Sequence, residues 1–143
     1  MEAPTKTIQE LSAEVVEEFA VFDQWLDKYE YIIDLGKSLP PIQESDKVDA
    51  NLIAGCQSRV WLACRCEEGR LWFTADSDAI ITKGIISLLI KVYDGQKAEE
   101  VAASDFGFIE EIGLKENLSP TRAGGLAAMI LKIKTYAKEY AQG

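Results

Sequence analysis

The spacing of apolar positions along this chain changes period twice, and each change marks a change of structure. Over the first third, Ile8, Leu11, Val15, Phe19 and Phe22 recur at steps of three or four. That spacing predicts one amphipathic helix from about Thr5 to Val21. Asp23 is placed to cap a second helix, whose buried stripe is Trp25, Leu26, Tyr29, Ile32, Ile33 and Leu35. Gly36 lies near its end, and Pro40-Pro41 forbids continuation. Residues Ile42 to Lys47 then read as an acidic connector.

The period next falls to two. Val48, Ala50, Leu52 and Ala54 alternate with more polar neighbours, Ile53 apart, and Val60, Leu62 and Cys64 alternate further on. Taking Glu68-Gly69 as a two-residue hairpin loop sets Glu67 opposite Arg70, Cys66 opposite Leu71, Cys64 opposite Phe73 and Leu62 opposite Ala75. Arg65 then faces Trp72 and Trp61 faces Asp76 on the other side, and a one-residue slip would mix the two faces. With a first strand around Val48 to Ala54, the expected sheet is small, antiparallel and three-stranded, with helices packed on one face.

The helical period returns after Asp76-Ser77-Asp78, read as a capping cluster. From Ala79 to Tyr93 apolar groups occupy most of the circumference, which predicts a central buried helix ended by Asp94-Gly95. Two short helices are expected at about Ala98 to Ala103 and Phe106 to Ile112. Ser119-Pro120 gives an N-cap followed by proline at the first helical position. Leu126, Met129, Ile130, Ile133 and Tyr140 line one face of the final helix. Helices, then sheet, then helices indicate an α+β fold, and the length of 143 residues suits one domain over 1–143.

One stretch fits neither period. Between the first two expected strands lies Gly55-Cys56-Gln57-Ser58, a small polar tip with apolar residues on both sides. Gly55 supplies backbone freedom for a tight turn, and Gln57 and Ser58 supply hydrogen-bonding groups rather than bulk. A thiol held on such a loop is not core filler, which makes Cys56 the candidate functional atom.

Composition narrows the chemistry. Fifteen basic against 24 acidic residues give a net charge of −9, which repels phosphate backbones and argues against a nucleic-acid partner. The longest apolar run, Ala79 to Val92, is broken by Thr82, Lys83, Gly84, Ser87 and Lys91, so no membrane span is expected. The opening residues carry no apolar signal core, and three cysteines read as reduced thiols of a cytoplasmic protein. Histidine is absent, which removes every Ser–His and Cys–His pair. Glu17-Glu18, Glu99-Glu100 and Glu110-Glu111 read as solvated helix faces, and Gly124-Gly125 forms no phosphate-binding fingerprint.

A metal site built from Cys56, Cys64 and Cys66 is the rival to a lone nucleophile. Counting only Arg59 to Cys64 as strand already separates the first two sulfurs by about 16 Å. Two sulfurs on one zinc lie within about 4 to 5 Å of each other. Cys64 and Cys66 are instead expected to pack on the apolar sheet face.

Ala54-Gly-Cys-Gln-Ser-Arg-Val-Trp61 resembles the active-site loop of the SufE family, the sulfur-acceptor proteins of iron–sulfur cluster assembly. Tyr31-Ile-Ile-Asp-Leu-Gly36 with Leu39-Pro40, Asp76-Ser-Asp-Ala79 with Lys83-Gly84, and Leu118-Ser-Pro-Thr-Arg122 with Gly125-Leu126 resemble family segments in family order. The resemblance spans roughly Trp25 to the last helix. It implies an α+β fold related in architecture to the IscU scaffolds. It also implies an accessory carrier rather than a stand-alone enzyme. Such a carrier takes persulfide sulfur from a SufS-like cysteine desulfurase, stimulates that enzyme, and passes the sulfur to a SufBCD-like scaffold. The acceptor thiol by this resemblance is Cys56, supported by Gly55, Gln57, Ser58 and Arg59. Arg122 matches a family arginine of the active-site region. No cofactor is expected on this chain, the PLP belonging to the desulfurase, and no metal. Cys64 and Cys66 match no family motif, which leaves a resolving or protective role open, as it leaves open monomer or homodimer. The alternative is a scaffold that binds metal or an Fe–S cluster through its own cysteines.

Sulfur transfer needs a thiolate rather than a base. An ordinary thiol, with pKa about 8.5, is a few per cent ionised at neutral pH. Arg59, Arg122 or backbone N–H groups could lower that pKa; two units would raise the thiolate fraction about 20-fold. Reduced nucleophilicity takes back most of a factor of ten, so access and docking are expected to matter more than pKa.

Overall fold

The computed structural model describes residues 2–142. Helix α1 runs Ile8–Ala20 and opens with a capping box. The Thr7 hydroxyl accepts from the Glu10 amide, and the Glu10 carboxylate accepts from the Thr7 amide, both at 3.1 Å. Helix α2 is Trp25–Lys37. Its cap position is Gln24, and no side chain bonds there, so the expected Asp23 cap is not made. The Tyr31 hydroxyl donates to Glu18, whose carboxylate also pairs with Lys91 at 3.1 Å, and this cluster fastens α1, α2 and the third helix together.

The sheet differs from expectation. Strands β1, Val60–Glu67, and β2, Arg70–Ser77, pair antiparallel in the predicted register throughout, from Glu67 opposite Arg70 to Trp61 opposite Asp76. The connecting Glu68 and Gly69 both have positive φ, 55° and 78°, as a primed hairpin turn demands. The third strand, around Val48 to Ala54, does not form, and the sheet is two-stranded. Asp49–Asn51 is a turn of 3-10 helix, and only Leu52 bridges to Trp61. The period-two pattern there misled: Val48 is 44% exposed, while Ile53, the exception to the alternation, is 4% exposed and belongs to the core. The far edge of β2 is met instead by residues 95–97, through Gly95 N–H to Leu71 O at 2.7 Å and Leu71 N–H to Gln96 O at 2.9 Å. The face carrying Trp61 and Trp72 is half-buried, with Lys47 Nζ 5.4 Å from the Trp61 ring.

Helix α3, Ile80–Tyr93, is the central element, and ten of its residues are buried. Each Leu or Ile sealed there contributes about 1.5 to 3 kcal/mol. It crosses α2 where glycine faces glycine: a Cβ on Gly84 would lie 2.2 Å from the Ile32 carbonyl oxygen, and one on Gly36 2.8 Å from the Gly84 nitrogen. The Ser87 hydroxyl closes the crossing by donating to Leu35 O at 2.9 Å. The Asp76–Asp78 cluster does not cap α3 through its carboxylates; Ala79 holds the cap position, its amide reaching the Ser77 hydroxyl at 3.3 Å. Asp76 instead binds Lys47 at 2.9 Å and Lys83 at 3.4 Å. Short helices α4, Ala98–Ala103, and α5, Gly107–Glu111, then lead to α6, Pro120–Gln142, whose start is capped by Ser119 Oγ accepting from the Arg122 amide at 3.3 Å. Leu126, Met129 and Ile133 of α6 are buried as expected; Tyr140 is exposed, its hydroxyl donating to Cys64 O at 3.2 Å. Among the described residues no helix is long and apolar enough to cross a membrane.

Candidate functional site

The loop bearing Cys56 is pinched at its base and pressed down at its tip. At the base, the Ile53 amide donates to Val60 O at 2.8 Å, and β1 begins there. On the exit side, the Asp78 carboxylate accepts from the Arg59 amide at 3.0 Å while the Asp78 amide donates to Arg59 O at 3.2 Å. The tip turns at Gly55, where φ is +92°, a conformation that penalises any residue with a Cβ. This turn lays the loop on α6, with the Gly55 α-carbon's missing methyl position 3.6 Å from Ala128 Cβ.

The same turn aims the thiol at a glycine. Cys56 Sγ lies 3.7 Å from the Gly125 carbonyl oxygen, in the direction of a weak S–H donor bond, and 3.5 Å from where a Gly125 Cβ would stand. Between loop, α3 and α6 is a pocket of about 70 Å3. Cys56, Gln57 and Ser58 form its loop side, Thr82 and Ile85 its α3 side, and Thr121, Arg122, Gly125 and Met129 its α6 side. Of the residues singled out in the sequence, Cys56, Gln57, Ser58 and Arg122 thus meet around one space. Gly55 shapes the turn, and Arg59 serves through its backbone, its side chain exposed and outside the pocket lining.

Sequence reasoning missed Thr82, Ile85, Thr121, Gly125 and Met129 as members of this site. Two of them carried a signal. Gly124-Gly125 costs an α-helix about 1 kcal/mol per residue relative to alanine, so a reason for glycine there was to be sought in packing. Thr82 interrupts a run of Ile and Leu on the most buried helix.

Electrostatics at the thiol are set by burial. Burial pushes the half-buried Cys56 thiol above its ordinary value rather than below it. Desolvation is the cause, and the Arg59 side chain is exposed outside the pocket lining. In the isolated chain the sulfur is therefore mostly protonated. Cys64 is half-buried on the apolar face of β1 and is pushed up to about 12, first by burial and then by Cys66 and Asp94. Among the described residues no group of three or more His, Cys, Asp or Glu side chains is arranged to hold a metal ion. A larger, open groove of about 810 Å3 runs between α1 and the α4–α5 region, rimmed by Glu100, Asp105 and Glu111 and containing no cysteine. Size alone does not make it the reactive site, because it offers no thiol.

Known proteins resemble this chain in fold and in sequence. A solution structure of a hypothetical protein from Thermus thermophilus superposes with a TM-score of 0.77, covering 93% of this chain and 97% of that one at 21% identity, a likeness of fold. An uncharacterized SufE-like protein of Rhizobium etli is 38% identical over 130 residues, 87% of this chain and 88% of that protein. A second, from Rhizobium meliloti, is 37% identical over 130 residues, 87% of this chain and 93% of its own length. The family described as SufE, Fe-S metabolism associated domain, matches residues 13–137. A match across nearly all of α1 to α6, with relatives of this identity, places the chain in the SufE family.

Proposed function

We propose that this protein accepts and carries sulfur for iron–sulfur cluster assembly, with Cys56 as the acceptor. The Cys56 thiolate attacks the terminal sulfur of a persulfide on a PLP-dependent cysteine desulfurase. One S–S bond forms at Cys56, the donor's S–S bond breaks, and the donor cysteine leaves as thiolate. The sulfur then passes from Cys56 to a cluster-assembly scaffold. The observation that carries this reading is a thiol on a glycine turn, closed against Gly125, with about 70 Å3 of space beside it. A sulfur atom needs about the share of one water, roughly 30 Å3.

The raised pKa fits a carrier that reacts only when docked. Free in solution, a protonated and half-covered thiol resists oxidation. Docking that lifts the loop from α6 would expose the sulfur and remove the desolvation that keeps it protonated. Arg122, at the mouth of the same pocket, supplies positive charge for the thiolate once formed.

The test is to assay a cysteine desulfurase with cysteine, with and without this protein. Stimulation is expected, and Cys56→Ser is expected to abolish it while leaving the circular dichroism spectrum and thermal unfolding unchanged. Mass spectrometry of the alkylated digest should find the added sulfur on the Cys56 peptide and not on that of Cys64 or Cys66. Stimulation by the serine variant equal to the wild type would overturn the assignment.

A further inference from the structure

We propose that the Thr82 hydroxyl is the hydrogen-bond donor that holds the terminal sulfur of a Cys56 persulfide, making the pocket a binding site for one anionic sulfur atom. The proposal deepens, and rests on, the carrier reading of Cys56.

Thr82 is 9% exposed, and apart from it the only buried polar residue among those described is Gln96, whose amide donates to Lys6 O at 3.0 Å. Thr82 has no such bond among the described residues. Threonine inside a helix ordinarily donates its hydroxyl to the carbonyl four residues back, as Thr135 does to Leu131 O at 2.8 Å. Thr82 lies in the first turn of α3, where the residue four back, Asp78, stands outside the helix and offers it no such acceptor. Every fully enclosed side-chain nitrogen or oxygen among the described residues has a partner, so the Thr82 oxygen faces open volume. The open volume beside it is the Cys56 pocket.

What the pocket can hold follows from its walls and size. At about 70 Å3 it has room for an added atom of sulfur size beside Cys56. Ile85 and Met129 give soft apolar walls. The first turn of α6, a helix of 23 residues, contributes Thr121 and Arg122, so the positive end of its dipole faces the same space. Soft walls, a helix N-terminus and one buried unpartnered hydroxyl suit the terminal sulfur of a persulfide, which is more acidic than a thiol and carries negative charge at neutral pH. Donation from Thr82 keeps that sulfur anionic and inside the pocket. An anionic terminal sulfur is a poor electrophile, so external thiols attack it slowly.

The experiment loads Cys56 chemically, independent of any desulfurase. Cys56 is converted to its mixed disulfide with 5-thio-2-nitrobenzoate in a background where Cys64 and Cys66 are alanine. Hydrosulfide then displaces the aromatic thiolate, leaving Cys56 as a persulfide. Loss of that persulfide to dithiothreitol is timed in the wild type, Thr82→Val, Thr82→Ala and Thr82→Ser at neutral pH. Removing the hydroxyl is expected to speed the loss about tenfold, the effect of one hydrogen bond to a charged group, while serine stays within about twofold of threonine. Alkylation of the unloaded Cys56 thiol should be alike in all four. Equal lifetimes in Thr82→Val and wild type overturn the proposal. So does a rise in thiol alkylation parallel to the persulfide loss, which would mean an opened wall rather than a lost donor. Failure of a desulfurase to load the wild type would sink the carrier reading alone, because the chemically loaded lifetimes stand apart from it.

Discussion

Two places in this molecule depend on a glycine in a helix facing another element, and they use the missing side chain in opposite ways. Where α2 crosses α3, a Cβ on Gly84 would sit 2.2 Å from Ile32 O and 2.7 Å from its carbonyl carbon. Where the Cys56 loop meets α6, a Cβ on Gly125 would sit 3.5 Å from Cys56 Sγ, an ordinary van der Waals contact. At the first place backbone touches backbone and no atom can be added. At the second the neighbour is the end of one side chain on a loop, and space is left over. The first glycine stabilises the fold through closeness; the second keeps room for chemistry. Packing is thus tight to the backbone at the helix crossing and looser beside the reactive sulfur.

The largest effect should come from filling the tight place. Gly84→Ala must drive α2 away from α3, because two of the three Ile32 atoms in the way, the carbonyl oxygen at 2.2 Å and its carbon at 2.7 Å, are backbone and cannot swing aside. A loss of about 3 kcal/mol or more is expected, at the upper end for a single substitution. Urea unfolding would measure it. A loss under about 1 kcal/mol would mean that the helices slide apart readily, and the contrast with Gly125 would then collapse.

Filling the roomy place should separate stability from function. Gly125→Ala gains helix propensity of about 1 kcal/mol and meets no hard contact, so folding stability should hold or rise slightly. The new methyl takes space beside the sulfur, so the Cys56 persulfide should form more slowly or decay several-fold faster. Unfolding curves and persulfide lifetime, measured on one preparation, test both halves. Raised stability with unchanged sulfur chemistry would show that the pocket is not where the second sulfur lies.

The sequence made these two places legible to different degrees. The hairpin register was readable in full, because side-chain alternation over eight residues and a two-residue turn overdetermine it, even with Glu68 forced to φ of 55°. The buried character of α3 was equally plain from its apolar run. The segment before the site was not readable: a short alternation of Val48, Ala50, Leu52 and Ala54 suits a strand and a 3-10 turn alike, and only tertiary contact turned Ile53 inward. The nucleophile could be picked out because a thiol beside a turn glycine is a local pattern. Its surroundings could not, since the Cys56–Gly125 contact joins residues 69 apart and Thr82 arrives from a third element. The direction of the Cys56 shift was hidden for the same reason. Arg59 is close to Cys56 in sequence, yet its side chain is exposed and burial decides the shift.

The smallest effect concerns the ion pair that joins the two places. Asp76, on β2, binds Lys47 just before the site segment and Lys83 next to Gly84, at 2.9 and 3.4 Å. Burial pulls its carboxyl upward, but the Lys47 bond, the Ser77 amide at 2.8 Å and both lysine charges outweigh that and hold it below the usual carboxylate value. The sign follows from linkage. A depressed folded pKa gives stability that is fully present above the unfolded value of about 3.9 and disappears as pH falls through the lower folded value. Asp76→Asn should therefore cost under about 1 kcal/mol at pH 7, since both lysines reach solvent. The cost should shrink in high salt and vanish once pH has fallen through the lowered folded value. Urea midpoints for the two proteins, compared at pH 7 and at the acid end, would show it. A cost unchanged at acid pH would mean that Asp76 acts through its shape and the Ser77 bond, leaving the crossing and the sulfur site without an electrostatic tie.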